Sequence, residues 1–220
     1  MSRGIKAPSS SEEGVGGGVA PSVGQALREA TARLGTGWAR DEAEMLMAHA
    51  LGVSRSAMLL GHMRDPVPAD FEAMLARRLA DEPVAYITGY AEFYGRRFAV
   101  SPDVLIPRGD SEAVLRAALE AAPAPRRILD CGTGSGCLLL ALLVERPAAS
   151  GVGIDRSRAA LAVAAANAKA LGVSERAQLL AADWQEAGWA VGLGAFDLIV
   201  ANPPYVEDDA ALDASVRHFE

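Results

Sequence analysis

Residues 126–137 read RRILDCGTGSGC: an apolar run, an acid, then three glycines spaced by two. Ile128 and Leu129 have the character of a strand buried on both faces. Gly132, Gly134 and Gly136 mark a turn where backbone can approach a ligand closely. A helical stretch from Ser135 to Arg146 follows and leads to a second apolar run, GVGID at 151–155. A helix from Ser157 to Leu171 then precedes a third run, AQLLAAD at 177–183, and a fourth, FDLIVAN, ends at Asn202. Strands without alternation, separated by helices, predict an open parallel sheet with helices on both faces, an α/β domain.

Open α/β sheets bind ligands at the carboxyl ends of their strands, so the residues there are the candidates for chemistry. The first turn is D-x-G-x-G-x-G, running from Asp130 through Gly132, Thr133, Gly134, Ser135 and Gly136. It is not the dinucleotide fingerprint, because Cys137 stands where the third glycine belongs. It also lacks the Lys and the Ser or Thr of a phosphate-binding loop. Nor is it a nucleophile elbow, since Thr133 occupies the position before Ser135's neighbour that must be glycine. A tight strand-to-helix turn and a cofactor cradle both remain open at this point.

The second strand ends at Asp155, 23 residues beyond Gly132. A carboxylate there can accept both hydroxyl hydrogens of a ribose, and it is equally suited to cap the following helix. The third run ends at Asp183 and Trp184. An indole at that place can lie on a purine face while the acid accepts from an amino group, or it can simply fill space under a loop. Taken jointly, glycine-rich, acidic and acidic-aromatic strand ends on one edge favour nucleoside binding.

The fourth strand runs into NPPY, residues 202–205. Pro203 and Pro204 fix the backbone and carry no N–H, so the loop presents acceptors without competing donors. The side-chain carbonyl of Asn202 and the backbone carbonyl of Pro203 are suited to hold both hydrogens of a planar NH2 group, with Tyr205 as a flat wall.

The bulk properties narrow the field. Of 220 residues half are hydrophobic, and 21 Lys plus Arg against 28 Asp plus Glu give a net charge of −7. Such a surface has no broad cationic face for a nucleic-acid backbone, so no direct nucleic-acid partner is expected. No run is apolar enough for a membrane span and the first residues lack a secretory core, which predicts a soluble, cytoplasmic protein. Cys131 and Cys137, spaced C-x5-C, match neither a redox pair nor half a zinc site, and His49, His62 and His218 stand apart. No metal is expected.

Four divisions are expected. Residues 1–22, rich in Gly, Ser and Pro, form a disordered tail. Residues 23–83 carry four segments of helical spacing and form a small N-terminal helical bundle. Residues 84–108 supply a hairpin around Gly95, Arg96 and Arg97 and then an irregular connector. The α/β domain spans 109–220, opening on a helix at about 110–122 capped by Asp110 or Ser111.

In order along the chain, the helical segment, PVAYITGYAEFYG (83–95), VLIPRGDSE (104–112), D-x-G-x-G-x-G, Asp155 and NPPY resemble the release-factor glutamine methyltransferase family (PrmC, also called HemK). The resemblance covers residues 25–220, and its ordered combination is far more specific than NPPY, which other amino-methyltransferases share. It implies a class I S-adenosylmethionine-dependent methyltransferase domain, Rossmann-like, preceded by a helical domain that reads the protein substrate. It further implies methyl transfer to N5 of the glutamine in the Gly-Gly-Gln motif of class 1 peptide chain release factors, leaving S-adenosylhomocysteine. By the same match Gly132 to Gly136, Asp155, Asp183, Trp184 and Asn202 contact the cofactor, and Asn202, Pro203, Pro204 and Tyr205 hold the glutamine. Family members commonly have IPRPET where this chain has Arg108, Gly109, Asp110 and Ser111. Their fold also continues beyond the point matching Glu220, so the domain is expected to be truncated, with its fourth strand an apolar edge. The competing readings are amino methylation of adenine or guanine in nucleic acid, and a non-catalytic binding module.

Overall fold

The computed structural model describes residues 21–202. The expected tail lies outside the described residues up to residue 20, as do Pro203, Pro204, Tyr205 and His218; its last residue, Ser22, is instead ordered as the cap of the first helix and bridges to Pro66.

The first layer is helical. α1 (Val23–Leu34) begins at a capping box in which Ser22 and Gln25 satisfy each other's backbone N–H, and it ends on Gly35 in the left-handed region. α2 (Ala39–Leu51), the short α3 (Arg55–Ala57) running into a π turn at Met58–His62, and α4 (Phe71–Leu79) follow. Their apolar faces meet in one cluster built on Val23, Leu46, Met47, Met58, Phe71 and Leu75. Glu44 is buried at its edge. Burial alone would raise its carboxyl, but hydrogen bonds from Arg40 and Arg55 hold it below the usual range, and Arg55 also pairs with Asp41.

The segment 84–108 contains one element the sequence reading lacked. Val84–Thr88 is a helical turn, α5, and its Ile87 joins the helical cluster. Val, Tyr, Ile and Thr favour strands locally, but burying Ile87 against α2 and α4 outweighs that preference. The expected hairpin follows as β1 (Tyr90–Phe93) and β2 (Arg96–Ala99), turning on Tyr94 and Gly95, both at positive φ. Positive φ at both central residues is the turn whose twist matches paired strands. The connector from Val100 is pinned by the Tyr86 hydroxyl, which donates to the Val104 carbonyl at 2.8 Å.

α6 (Gly109–Ala121) opens the α/β layer. Its cap is Arg108, in extended backbone and without a side-chain capping bond, rather than the expected Asp110 or Ser111. Both residues fall inside the first turn, and the Ser111 N–H already bonds the Arg108 carbonyl. β3 (Arg127–Cys131), α7 (Cys137–Glu145), β4 (Ser150–Asp155), α8 (Arg158–Ala170), β5 (Ala177–Ala181) and β6 (Leu198–Ala201) follow among the described residues. All pairings in this four-stranded sheet are parallel, in the order β5-β4-β3-β6. α7 lies close on β4, for a Cβ at Gly151 would collide with the Leu139 side chain.

The sheet is covered differently from expectation. α6, α7 and α8 share one cluster with Ile128 and Val200, whereas Leu129, Cys131, Val152 and Ile154 are covered by Trp189, Leu193 and Phe196 from the segment before β6. Among the described residues helices cover one face only. The crossovers β3 to β4 and β4 to β5 step in the same direction, so right-handedness puts both helices on one side. Only the return to β6 crosses the other face, and that stretch forms turns. Ile199, on that face of the edge strand, is 61% exposed.

Candidate functional site

The strand order reverses at β3, where β4 lies on one side and β6 on the other, and a crevice opens at the carboxyl ends of such neighbours. Because Cys131 is in register with Ala201, the turn after β3 and Asn202 emerge side by side. A cleft of about 670 Å³ opens there, lined by Gly132, Gly134, Asp155, Asp183, Trp184 and Asn202 among others. Six residues anticipated from four separate strand ends therefore share one cavity. A recess of about 60 Å³ adjoins it, lined by Asp130, Thr133, Ser135, Ser111 and again Asn202. Gly136 lines neither; at φ 80° it precedes α7, and a Cβ there would meet Leu140.

The glycine turn is held by its backbone. The Gly132 and Thr133 N–H groups both donate to the Ile154 carbonyl at 2.9 Å. Gly132 has φ 72°, and a Cβ built on it would stand 2.9 Å from the Trp184 ring. The indole thus lies directly on the turn and forms a wall of the cleft, a contact only glycine admits.

Asp155 does two things at once. One carboxylate oxygen accepts the Ser157 N–H at 2.9 Å, and the other accepts the Gly134 N–H at 2.9 Å. Helix capping falls mainly to Ser157, whose hydroxyl accepts from the Ala160 N–H. Each Asp155 oxygen retains a lone pair. Asp183 makes the equivalent local bond, accepting the Gln185 N–H at 2.9 Å.

Three residues escaped the sequence reading. Asp130 is 1% exposed; the Thr133 hydroxyl donates to its Oδ2 at 2.7 Å, and its Oδ1 has no hydrogen-bond partner. Burial pushes the carboxyl up to about 6, the Thr133 hydroxyl and the Leu139 backbone offsetting only part and the charge of Asp155 adding to the rise. Asn167, in the last turn of α8, accepts the Ala99 N–H at 2.7 Å and donates to the carbonyls of Ala99 and Ser135. It ties the hairpin to the glycine turn. Ser111 accepts a hydrogen bond from Asn202 Nδ2 at 2.6 Å. The signal for the first was a single acid inside an apolar strand; for the second, a single amide on an alanine-rich helix.

The remaining polar candidates have other duties. Cys131 and Cys137 are free thiols, both shifted upward by burial, Cys137 to about 12. The His49 ring packs against Tyr90, and His62 pairs with Asp65. Among the described residues no group of His, Cys, Asp and Glu could hold a metal ion, and no helix is long and apolar enough to cross a membrane.

A sulfonium nucleoside carrying an amino acid fits this donor set. The cleft supplies an aromatic wall and the free lone pairs of Asp155. The recess supplies a buried, orphaned carboxylate oxygen suited to a cationic amino group.

Comparison with known proteins agrees. Residues 25–89 match the family model of the PrmC N-terminal domain, and residues 110–219 match the methyltransferase small domain. A release factor glutamine methyltransferase of Cereibacter sphaeroides is 46% identical over 204 residues, covering 89% of this chain and 71% of that protein. The Bordetella pertussis enzyme of that name is 46% identical over 194 residues, covering 84% and 69%. The Rhodospirillum rubrum enzyme is 44% identical over 187 residues, covering 82% and 56%, so this chain spans little more than half its length. A solved S-adenosylmethionine-dependent methyltransferase from Thiobacillus denitrificans, in complex with S-adenosylhomocysteine, aligns at 32% identity over 43% of this chain and 36% of its own, with a TM-score of 0.36. That overlap is too partial to bear on the assignment.

The α/β layer, with a nucleoside-sized cleft at its topological switch, is a class I S-adenosylmethionine-dependent methyltransferase fold. With the helical layer matched as well, the chain belongs to the release factor glutamine methyltransferase family.

Proposed function

We propose that this protein methylates the side-chain amide nitrogen of the glutamine in the Gly-Gly-Gln motif of class 1 peptide release factors, with S-adenosylmethionine as donor. The observation that carries the reading is the position of Asn202, which lines both the cleft and the recess and places an amide beside the glycine turn, Asp155 and Trp184. In this reading Trp184 supports the base, Asp155 the ribose hydroxyls and Asp130 the amino group. Bound there, the cofactor supplies a methyl group activated by its sulfonium charge.

The chain's own part is to bind and orient. An amide nitrogen is a weak nucleophile because its lone pair is delocalised into the carbonyl. Accepting its N–H hydrogens on Asn202 Oδ1 and on the Pro203 carbonyl aims that lone pair and favours the nitrogen as it gains positive character. Orientation of two bound reactants can contribute roughly 7–11 kcal/mol. Pro204, having no N–H, brings no competing donor, and Tyr205 is the aromatic residue we assign to the amide. The helical layer, with Trp38 and Leu60 among its most exposed apolar side chains, is the surface we assign to the release factor. A translation factor as substrate places the activity in the cytoplasm, with neither nucleic acid nor membrane as partner.

Incubation with methyl-labelled cofactor and a release factor tests the reading. Label is expected on the factor and absent from one whose motif glutamine is replaced by alanine. Labelling of DNA or RNA instead, or of neither while the cofactor binds, overturns it.

A further inference from the structure

We infer that Ser111 is a positioning residue whose hydroxyl decides which end of the Asn202 amide faces the cleft; this rests on the methyl-transfer reading above. An asparagine side chain has two nearly isosteric ends, one an acceptor and one a double donor, and its terminal torsion is broad and roughly two-fold. Only one of the two orientations serves a substrate NH2 group. With Oδ1 outward Asn202 accepts; turned over, it sets its own donors against the substrate's.

Among the described residues Asn202 follows an edge strand, so the sheet restrains it from one side only. Ser111 does, for Asn202 Nδ2 donates to its hydroxyl oxygen at 2.6 Å. Ser111 is itself fixed: it is 4% exposed, stands in the first turn of α6, and gives its backbone N–H to the Arg108 carbonyl at 3.0 Å. A hydroxyl alone could serve either end of an amide. The choice is set by Asp130, whose carboxylate lines the same recess and favours the positive NH2 end on that side over the carbonyl. The donor end is thus engaged inward, and Oδ1 is left for the ligand.

Removing the hydroxyl frees the amide without touching substrate. Ser111→Ala is expected to lower kcat about 5- to 10-fold, as for loss of one hydrogen bond, and to weaken S-adenosylmethionine binding by a smaller factor, since Ser111 lines the recess but the amide it orients faces the substrate. Ser111→Thr, which keeps the hydroxyl, is expected to restore turnover. A second readout needs no turnover. In nitrogen-15 NMR spectra the Asn202 side-chain NH2 signals, assigned by their loss in Asn202→Ala, are expected to be protected from solvent exchange in the parent and in Ser111→Thr, and unprotected in Ser111→Ala. Equal impairment of both Ser111 variants, unchanged turnover in Ser111→Ala, or Asn202 signals indifferent to the hydroxyl overturns the inference. If the parent itself methylates no release factor, the functional reading fails alone, and the NMR comparison still decides the role of Ser111.

Discussion

Replacing Asp130 by asparagine should make the unliganded protein more stable and the liganded site weaker. The carboxyl is wholly buried, accepts from the Thr133 hydroxyl, and carries a second oxygen that lacks a well-formed hydrogen bond, the Leu139 backbone giving it only weak support. Burial lifts it from an ordinary 3.8 to about 6. Between those values the folded protein holds a proton that the unfolded chain has released, so stability falls as pH rises through that window. Above pH 6 the full cost applies, about 3 kcal/mol for a difference of that size. Asparagine keeps the shape and removes the charge, though its NH2 group inherits the place of the orphaned oxygen and returns part of the gain. Urea unfolding of parent and variant should therefore show the variant ahead by roughly 1–3 kcal/mol at pH 8, with the gap closing towards pH 4. Taking the difference cancels the other carboxylates that titrate in the same range. Cofactor affinity measured calorimetrically at pH 8 should move the opposite way, weakening about 10- to 100-fold through loss of a charged hydrogen bond. A stability difference that is flat between pH 4 and 8 refutes the buried-charge argument. Unchanged affinity refutes the assignment of the recess to an amino group.

Asn202→Ala should lower kcat about 100-fold or more, by analogy with loss of one well-placed polar group, while calorimetry finds little change in cofactor affinity; near-normal turnover would remove Asn202 from the substrate's partners. Asn167→Ala strands the Ala99 N–H and the carbonyls of Ala99 and Ser135, and urea denaturation should register a loss of roughly 2–4 kcal/mol. A loss below about 0.5 kcal/mol, the scale of a bland surface change, would mean the clamp is ornamental. With its thiol raised to about 12, Cys137 is thiolate in on the order of one molecule in ten thousand at pH 8. A thiol reagent should modify it quickly only once denaturant is added, and fast labelling of the native protein would contradict the raised thiol.

The strands were legible because burial on both faces leaves an uninterrupted apolar run, and each of the four appears within a residue or two of its expected place. Local signals also placed the helix start at Ser157 and the turn at Gly95, whereas Ser22, expected in the tail, caps α1. What escaped depended on distant partners. α5 is helical because Ile87 finds the helical core, which its own β-favouring residues do not announce. Coverage of the second face by turns follows from strand order, and order is not written in any one segment. Ser111 was read as a cap from its nearest neighbours, whereas its hydroxyl meets a residue 91 positions away. Asp130 was visible as an acid in an apolar strand and was taken only as part of the glycine pattern.

The parallel docking of β6 beside β3 bears on the order in which this molecule assembles. β3, α7, β4, α8 and β5 are contiguous and can close upon one another through short-range crossovers, whereas β6 must return from far along the chain, and long-range parallel pairing is slow. The Asp197 carboxylate, which accepts the N–H groups of both Arg126 and Arg127, locks that late arrival in register. Asn202 stands at the end of that returning strand, so a chain whose β6 has not docked presents the nucleoside cleft without its amide.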